Sequence, residues 1–401
     1  MLKPRPTLLL IALTYAGFFS LGMPDGLLGV AWPSMRTTFG LPLNALGTLL
    51  ALFTSGYLLA SLCSSWLLNR MNVGVLLALS CLATSISLFG YSIASSWIIL
   101  IAFGALGGLG AGAIDAGLNT YIANFHTART SSWLHACYGA ATTTGPAMMT
   151  AALASGKSWQ FSYAVVAAGQ LVLALSFGLS HKLWPDSTVS NKPQTTTDKP
   201  IAPSRRLWQL PAVWLSVAIF FVYTGIESTA GAWPYSLFTE ARGVSSKIAG
   251  IGASVYWGCF TGGRIVCGFV ANRFSTQRLV RYSIITIIAG TILLWINLTS
   301  MLSFLGVALI GLACAPIFPT LIATTPDRIS KHFVATVVGL QISAAVLGQS
   351  GLPSLVGMLA GKFGLEVLSP TLLFAAFLLW VLSETLFHKT SETKSPGLSQ
   401  N

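Results

Sequence analysis

Asp25, Asp115, Glu227 and Arg264 each stand inside a long run of apolar residues. A charged side chain at the centre of a bilayer costs about 2.5–3.5 kcal/mol on insertion scales, so a group placed there needs a task. A carboxyl group taken out of water tolerates its neutral form and can therefore load and release a proton. An arginine cannot give up its charge and needs a carboxylate, water or an anionic substrate. Asp25 lies in GMPDGLLGVAWP and Glu227 in GIESTAGAWP. Each is about 17 residues into its apolar run, roughly 26 Å along a helix rising 1.5 Å per residue. The plainer role for both is capping helix geometry disturbed by Pro24 or by the Trp-Pro steps.

Asp115 shares a ridge with Gly107, Ala111 and Asn119 at four-residue spacing, while Gly104, Gly108 and Gly112 form the neighbouring stripe. Small residues at that spacing let a second helix approach closely. One stripe then packs and the next presents Asp115 with Asn119. The plainer role for Asp115 is a hydrogen bond to a neighbouring helix. The following apolar segment opens with Ser131, Ser132, Trp133, Leu134 and His135, and Tyr138, Gly139, Thr142 and Thr143 continue on roughly one face. This face suits a water-lined wall, with His135 near its cytoplasmic end. Trp257, Thr261 and Arg264 share another helical face. Tyr223, Trp257, Trp32, Trp233, Gln341 and Gln349 supply aromatic faces and amides of the kind that bind a sugar's C–H faces and hydroxyls. The same aromatic residues serve elsewhere as anchors at the lipid surface.

Only long helices can position such groups. Of 401 residues, 54% are hydrophobic and 8% charged, with 39 glycines and a mean hydropathy of +0.73. A soluble globule carries about 25% charged residues, and disordered chains are poor in apolar residues. The apolar runs are continuous, which excludes the alternating strands of an outer-membrane barrel. Division at charge and proline clusters predicts twelve spans, at 8–33, 42–68, 73–93, 97–124, 132–154, 160–181, 208–236, 246–271, 279–297, 301–323, 334–360 and 367–387. Lys3 and Arg5 precede a stretch that runs on to about Ala31, too long for a signal peptide. Sixteen of the 22 basic residues fall in alternate loops, which predicts both termini in the cytoplasm. The net charge of +12 reflects that loop bias and not a nucleic-acid surface. All six cysteines fall within spans and read as small packing residues, with no disulfide framework or zinc spacing.

Residues 182–206 contain four prolines among Ser, Thr, Asp, Lys and Arg, and divide the spans six and six. The halves repeat. Asp25 and Glu227 occupy corresponding segments, and Asn69-Arg70 recurs as Asn272-Arg273, 203 residues later. The expected organisation is a six-helix bundle at 1–181, a cytoplasmic linker at 182–206, a second six-helix bundle at 207–388 and a cytoplasmic tail at 389–401.

Two parallel six-span repeats around a long cytoplasmic loop resemble the major facilitator superfamily. The family signature after spans 2 and 8 matches at SWLLNRMNVG and GFVANRFSTQR. Arg70 and Arg273 stand at the family arginine, while Asn69 and Asn272 replace the usual aspartate. Within the superfamily, the acids of spans 1 and 4, LHACYGAATTTGP and YWGCFTGGR resemble the fucose/glucose–proton symporter branch. That resemblance implies an all-α fold of two pseudo-symmetric bundles and proton-coupled alternating access for a small polar, sugar-like solute. It implies proton coupling at Asp25 and Asp115, to which Glu227 is added as the repeat partner of Asp25. Asn119, His135, Tyr138, Tyr223, Trp257 and Gln341 are the expected cavity residues. Arg264, Asn69, Arg70, Asn272 and Arg273 are the expected gate, with Arg264 pairing with Asp115 in one conformation. No cofactor or metal is expected. The expected partners are solute, protons and lipid, for a monomer in the cell (inner) membrane. Drug antiporters show spaced glycines before Gly-Pro in span 5; here Cys137 and Ala141 precede Gly145-Pro146, so a proton-driven exporter fits less well. An intramembrane enzyme would need a nucleophile and base together, and no HExxH or GxSxG pattern surrounds His135.

Overall fold

The computed structural model describes residues 8–68, 70–125, 128–184, 208–270, 275–329 and 333–394. They form long helices, the arrangement in which an apolar chain satisfies its own backbone polar groups within lipid. The first six are α1 (Leu8–Phe39), α2 (Ala45–Leu68), α3 (Val73–Ile93), α4 (Trp97–Phe125), α5 (Ala128–Ala154) and α6 (Trp159–Ser180). The rest are α7 (Pro211–Ala232), α8 (Ser246–Val270), α9 (Thr276–Ile296), α10 (Ser300–Cys314), α11 (Val334–Phe363) and α12 (Leu368–Lys394). Among the described residues, ten of these helices are long and apolar enough to cross a membrane. α5 and α8 fall short in composition: α5 carries the Ser/Thr/His/Tyr face, and α8 holds Lys247 and Arg264.

Several boundaries differ from the hydropathy reading. α1 continues through Pro24 and Pro33 to Phe39; its last turns carry Thr37 and Thr38, whose hydroxyls bond back to the carbonyls of Pro33 and Ser34. α7 stops at Ala232, where Trp233-Pro234 starts a short turn followed by a π-helical segment, Leu237–Ala241. α10 breaks at Ala315-Pro316 and resumes as Ile317–Ala323. α12 runs past the apolar stretch to Lys394, as a helix with a polar end does in water. Most of the expected linker and the last seven residues lie outside the described residues.

The chain clusters into two units, Met1–Thr195 with Ser245–Trp257, and Thr196–Val244 with Gly258–Asn401. In the first, α1 packs on α5 and α6, α2 on α4, and α3 on α4 and α6. In the second, α7 packs on α11 and α12, and α9 on α10 and α12. Gly263 of α8 sits against Leu312 of α10 and Ala315 just beyond its end. Four pairings therefore recur, α1–α5, α1–α6, α3–α4 and α3–α6 as α7–α11, α7–α12, α9–α10 and α9–α12, and so do their details. Asn72 caps α3 by accepting from the Gly74 amide, and Ser275, 203 residues on, caps α9 by accepting from the Arg278 amide. Gly145 lies against the Gly26 backbone of α1, and Gly348 against the Phe221 carbonyl of α7.

Close glycine contacts hold α2 on α4. A Cβ at Gly108 would stand 1.9 Å from the Phe53 carbonyl oxygen, and one at Gly56 would stand 2.2 Å from that of Ala105. The expected stripe of Gly104, Gly108 and Gly112 is this surface. In the second unit, Arg242 is a buried clip. It donates to both carboxylate oxygens of Glu366 (2.8 and 2.7 Å), to Ser303 Oγ (3.0 Å) and to the Leu294 carbonyl (2.9 Å). Near the other end of α9, Arg281 makes a bidentate pair with Glu384 of α12, both bonds 2.6 Å. The six cysteines are free, with Cys81 and Cys314 buried and Cys63 exposed.

Candidate functional site

Asp25 stands on α1 between Gly22 and Gly26. A Cβ at those glycines would meet the carbonyls of Tyr138 and Thr142 at 2.6 Å, so α5 runs backbone-close along this part of α1. That approach brings Tyr138 beside the acid, and its hydroxyl donates to Asp25 Oδ2 at 2.6 Å. Asp25 remains exposed. Asp115 is placed by the same device. Gly112 admits the Tyr57 backbone of α2, and the Tyr57 hydroxyl donates to Asp115 Oδ2 at 2.7 Å. Asn119, one turn along α4, donates to Oδ1 at 2.9 Å. Asp115 and Asn119 are thus joined as the ridge predicts.

Glu227 is buried in the second unit and is hydrogen-bonded to the hydroxyl of Tyr223, one turn earlier on α7. The Tyr223 oxygen also lies 2.9 Å from the Cys314 carbonyl, at the end of α10 where the helix breaks. Arg264, half-buried on α8, attracts Glu227 electrostatically and rests its guanidinium over the Phe260 ring at 4.3 Å.

The other expected residues are placed as follows. His135 is exposed and meets Phe18 edge-on, with ring centroids 5.4 Å apart. Gln341 is fully buried and accepts from Thr325 Oγ1 at 3.2 Å. Trp257 is buried against Tyr256. Trp32 and Trp233 are fully buried, which removes the anchor alternative for both; the Trp233 indole donates to the Pro353 carbonyl at 3.1 Å. Gln349 is exposed. Arg70 is exposed, its guanidinium 4.4 Å from the Trp66 ring centroid. Asn69, Asn272 and Arg273 lie outside the described residues.

Sequence reasoning missed Tyr57, Tyr163 and Gln170. The last two line a cavity of about 70 Å³ in the first unit, beside Asp25. A wider cleft of about 600 Å³ at the ends of α9 and α12 holds the Arg281–Glu384 pair and none of the membrane acids. Among the described residues, no group of three or more His, Cys, Asp or Glu is placed to hold a metal ion.

A family model, that of the Major Facilitator Superfamily, matches residues 14–353 and, a second time, residues 215–399. The chain belongs to the Major Facilitator Superfamily. It is an integral membrane transporter and not a catalyst. Among curated relatives, the yeast (Saccharomyces cerevisiae) Bypass of stop codon protein 6 is 25% identical over 93% of this chain and 81% of its own. The human Sodium-dependent glucose transporter 1 is 22% identical over 93% of this chain and 78% of its own. Among solved structures, a D-xylose-proton symporter superposes with a TM-score of 0.73, covering 93% of this chain and 97% of that one. Its 13% identity carries the superfamily fold alone.

Proposed function

We propose that this member of the superfamily is a proton-coupled symporter of a small polar, sugar-like solute, working by alternating access. One observation carries the reading: each of the three membrane acids is hydrogen-bonded to a tyrosine hydroxyl, Asp25 to Tyr138, Asp115 to Tyr57 and Glu227 to Tyr223. A phenol donates to an ionised carboxylate and accepts from a protonated one. Both states of the acid are therefore satisfied, as a group that loads and releases a proton requires, whereas a permanent ion pair would hold only one.

In this reading a protonated Glu227 is accommodated by its neighbours. Tyr223 has a single proton and two oxygen neighbours, and the Cys314 carbonyl can only accept. All three groups are satisfied together when Tyr223 donates to Cys314 and Glu227 donates to Tyr223. When Glu227 has lost its proton, the Tyr223 hydroxyl turns to donate a hydrogen bond to the carboxylate, whose charge is compensated by Arg264.

In this reading protonation of Asp25, Asp115 and Glu227 biases which side is open, and solute binds the two protonation states differently, without which no coupling exists. Asn119, His135, Tyr138, Tyr223, Trp257 and Gln341 shape the solute path. Arg264, Arg70, Asn69, Asn272 and Arg273 act as the gate residues of the two bundles, 1–181 and 207–388. The protein works as a monomer in the cell (inner) membrane, with both termini cytoplasmic. A sugar-like solute is supported by the aromatic and amide composition, and by the human relative being named for glucose and the superposed structure for D-xylose. The test is proton movement in liposomes on addition of candidate sugars, nucleosides and organic acids. Solute entry with inward protons is expected; protons moving against the solute would mark an exporter.

A further inference from the structure

The cavity beside Asp25 has Thr84, Ser87, Tyr91, Tyr163 and Gln170 as its other polar lining residues. At about 70 Å³ it is several times the roughly 10–15 Å³ that one water-sized particle requires. Three of the donors around it are already committed. Ser87 Oγ donates to the Phe103 carbonyl at 2.6 Å, Thr84 Oγ1 to that of Cys81 at 3.0 Å, and Gln170 Nε2 to that of Ser20 at 3.3 Å. Gln170 and Tyr163 are each 1% exposed, and Gln170 Oε1 and the Tyr163 hydroxyl make no hydrogen bond. Tyr138 engages one oxygen of Asp25 and leaves the other.

The polar groups that remain are the oxygens of Gln170 and Asp25 and the hydroxyl of Tyr163, with a single carboxylate among them. Water can hydrogen-bond the neutral groups among them but brings no charge to the carboxylate. A hard cation takes carboxylate, amide and hydroxyl oxygens together. One positive charge neutralises the one carboxylate, while a divalent ion would leave excess charge in an apolar surround. The exposure of Asp25 gives the ion a way in.

We propose that this cavity is an alkali-cation site, with Asp25, Gln170 and Tyr163 as its principal oxygens and Thr84 and Ser87 completing the shell. It rests on the reading of Asp25 as the ion-coupling acid, and adds that an alkali ion competes with the proton for the same carboxylate.

The experiment is thermal unfolding of the purified full-length protein in NaCl, KCl and choline chloride at equal ionic strength. A saturable rise in Tm with Na⁺ or K⁺, absent with choline, is expected. Gln170→Leu should weaken the apparent cation affinity at least tenfold and Tyr163→Phe several-fold. Gln170→Glu, which keeps a ligand oxygen, should retain the response. Equal Tm in all three salts, or an undiminished response in Gln170→Leu, overturns the site and leaves a cavity filled by water only. If Gln170→Leu does not fold, Tyr163→Phe and the wild-type salt comparison decide. Solute-driven proton uptake measured in choline medium tests the symport reading separately. Its failure with the alkali response intact removes proton coupling and leaves the site.

Discussion

Asp115 holds two donors at once, a phenol from α2 and an amide from its own helix. Asp115→Asn keeps the shape and removes the titrating group. Gradient-driven accumulation should fall to background while solute exchange between equal pools persists, a contrast measured with radiolabelled solute in proteoliposomes. Asp25→Asn should behave alike. Tyr57→Phe removes one hydrogen bond of about 1 kcal/mol and should lower coupled uptake roughly fivefold without abolishing it; unchanged uptake would discard Tyr57 as a partner of the acid. The acids themselves were legible in the sequence, since charge in an apolar run is conspicuous. Tyr57, Tyr163 and Gln170 were not, because a phenol or amide in a span is inexpensive and common. Their importance comes from which helix faces them. The need of Asp115 for a donor could be foreseen, but its source on α2 could not.

Helices were the most legible elements, because continuous apolar runs of about 20 residues have one solution in lipid. Their ends were less so. Pro33 resembles a stop and is not one, while Trp233-Pro234 is; neighbouring backbone and side chains decide, and they are remote in sequence. The glycine stripe of α4 was readable, though its partner was not. Gly108→Ala would push a methyl group into the Phe53 carbonyl and should destabilise the protein by about 1–3 kcal/mol, the range for overpacking. Gly169→Ala, at a position with open space around it, should leave Tm nearly unchanged. A fluorescence-detected thermal shift of both variants checks the contrast.

For the molecule as a whole, the repeat was visible as matched fragments, and it reappears as matched helix pairings and matched caps within each unit. Protonophore added to proteoliposomes should abolish accumulation while leaving equilibration of solute intact. At this scale stability also depends on Arg242, whose four hydrogen bonds join α9, α10 and the turn before α12. Its guanidinium is 5% exposed, but Glu366 is 49% exposed, so solvent screens part of the pair. Arg242→Ala should cost about 2–3 kcal/mol, mostly through polar groups left unanswered, and Arg242→Lys should recover only part of it.

The Arg242 clip and the Arg281–Glu384 pair fasten α9 and α12 at opposite extremities. Spectroscopic labels placed midway along the two helices should therefore keep a fixed distance from each other and serve as a reference. A label beyond the Ala315-Pro316 interruption reports local bending instead. Paired-label distance measurements should choose their reference points on the fastened helices and their probes past that interruption.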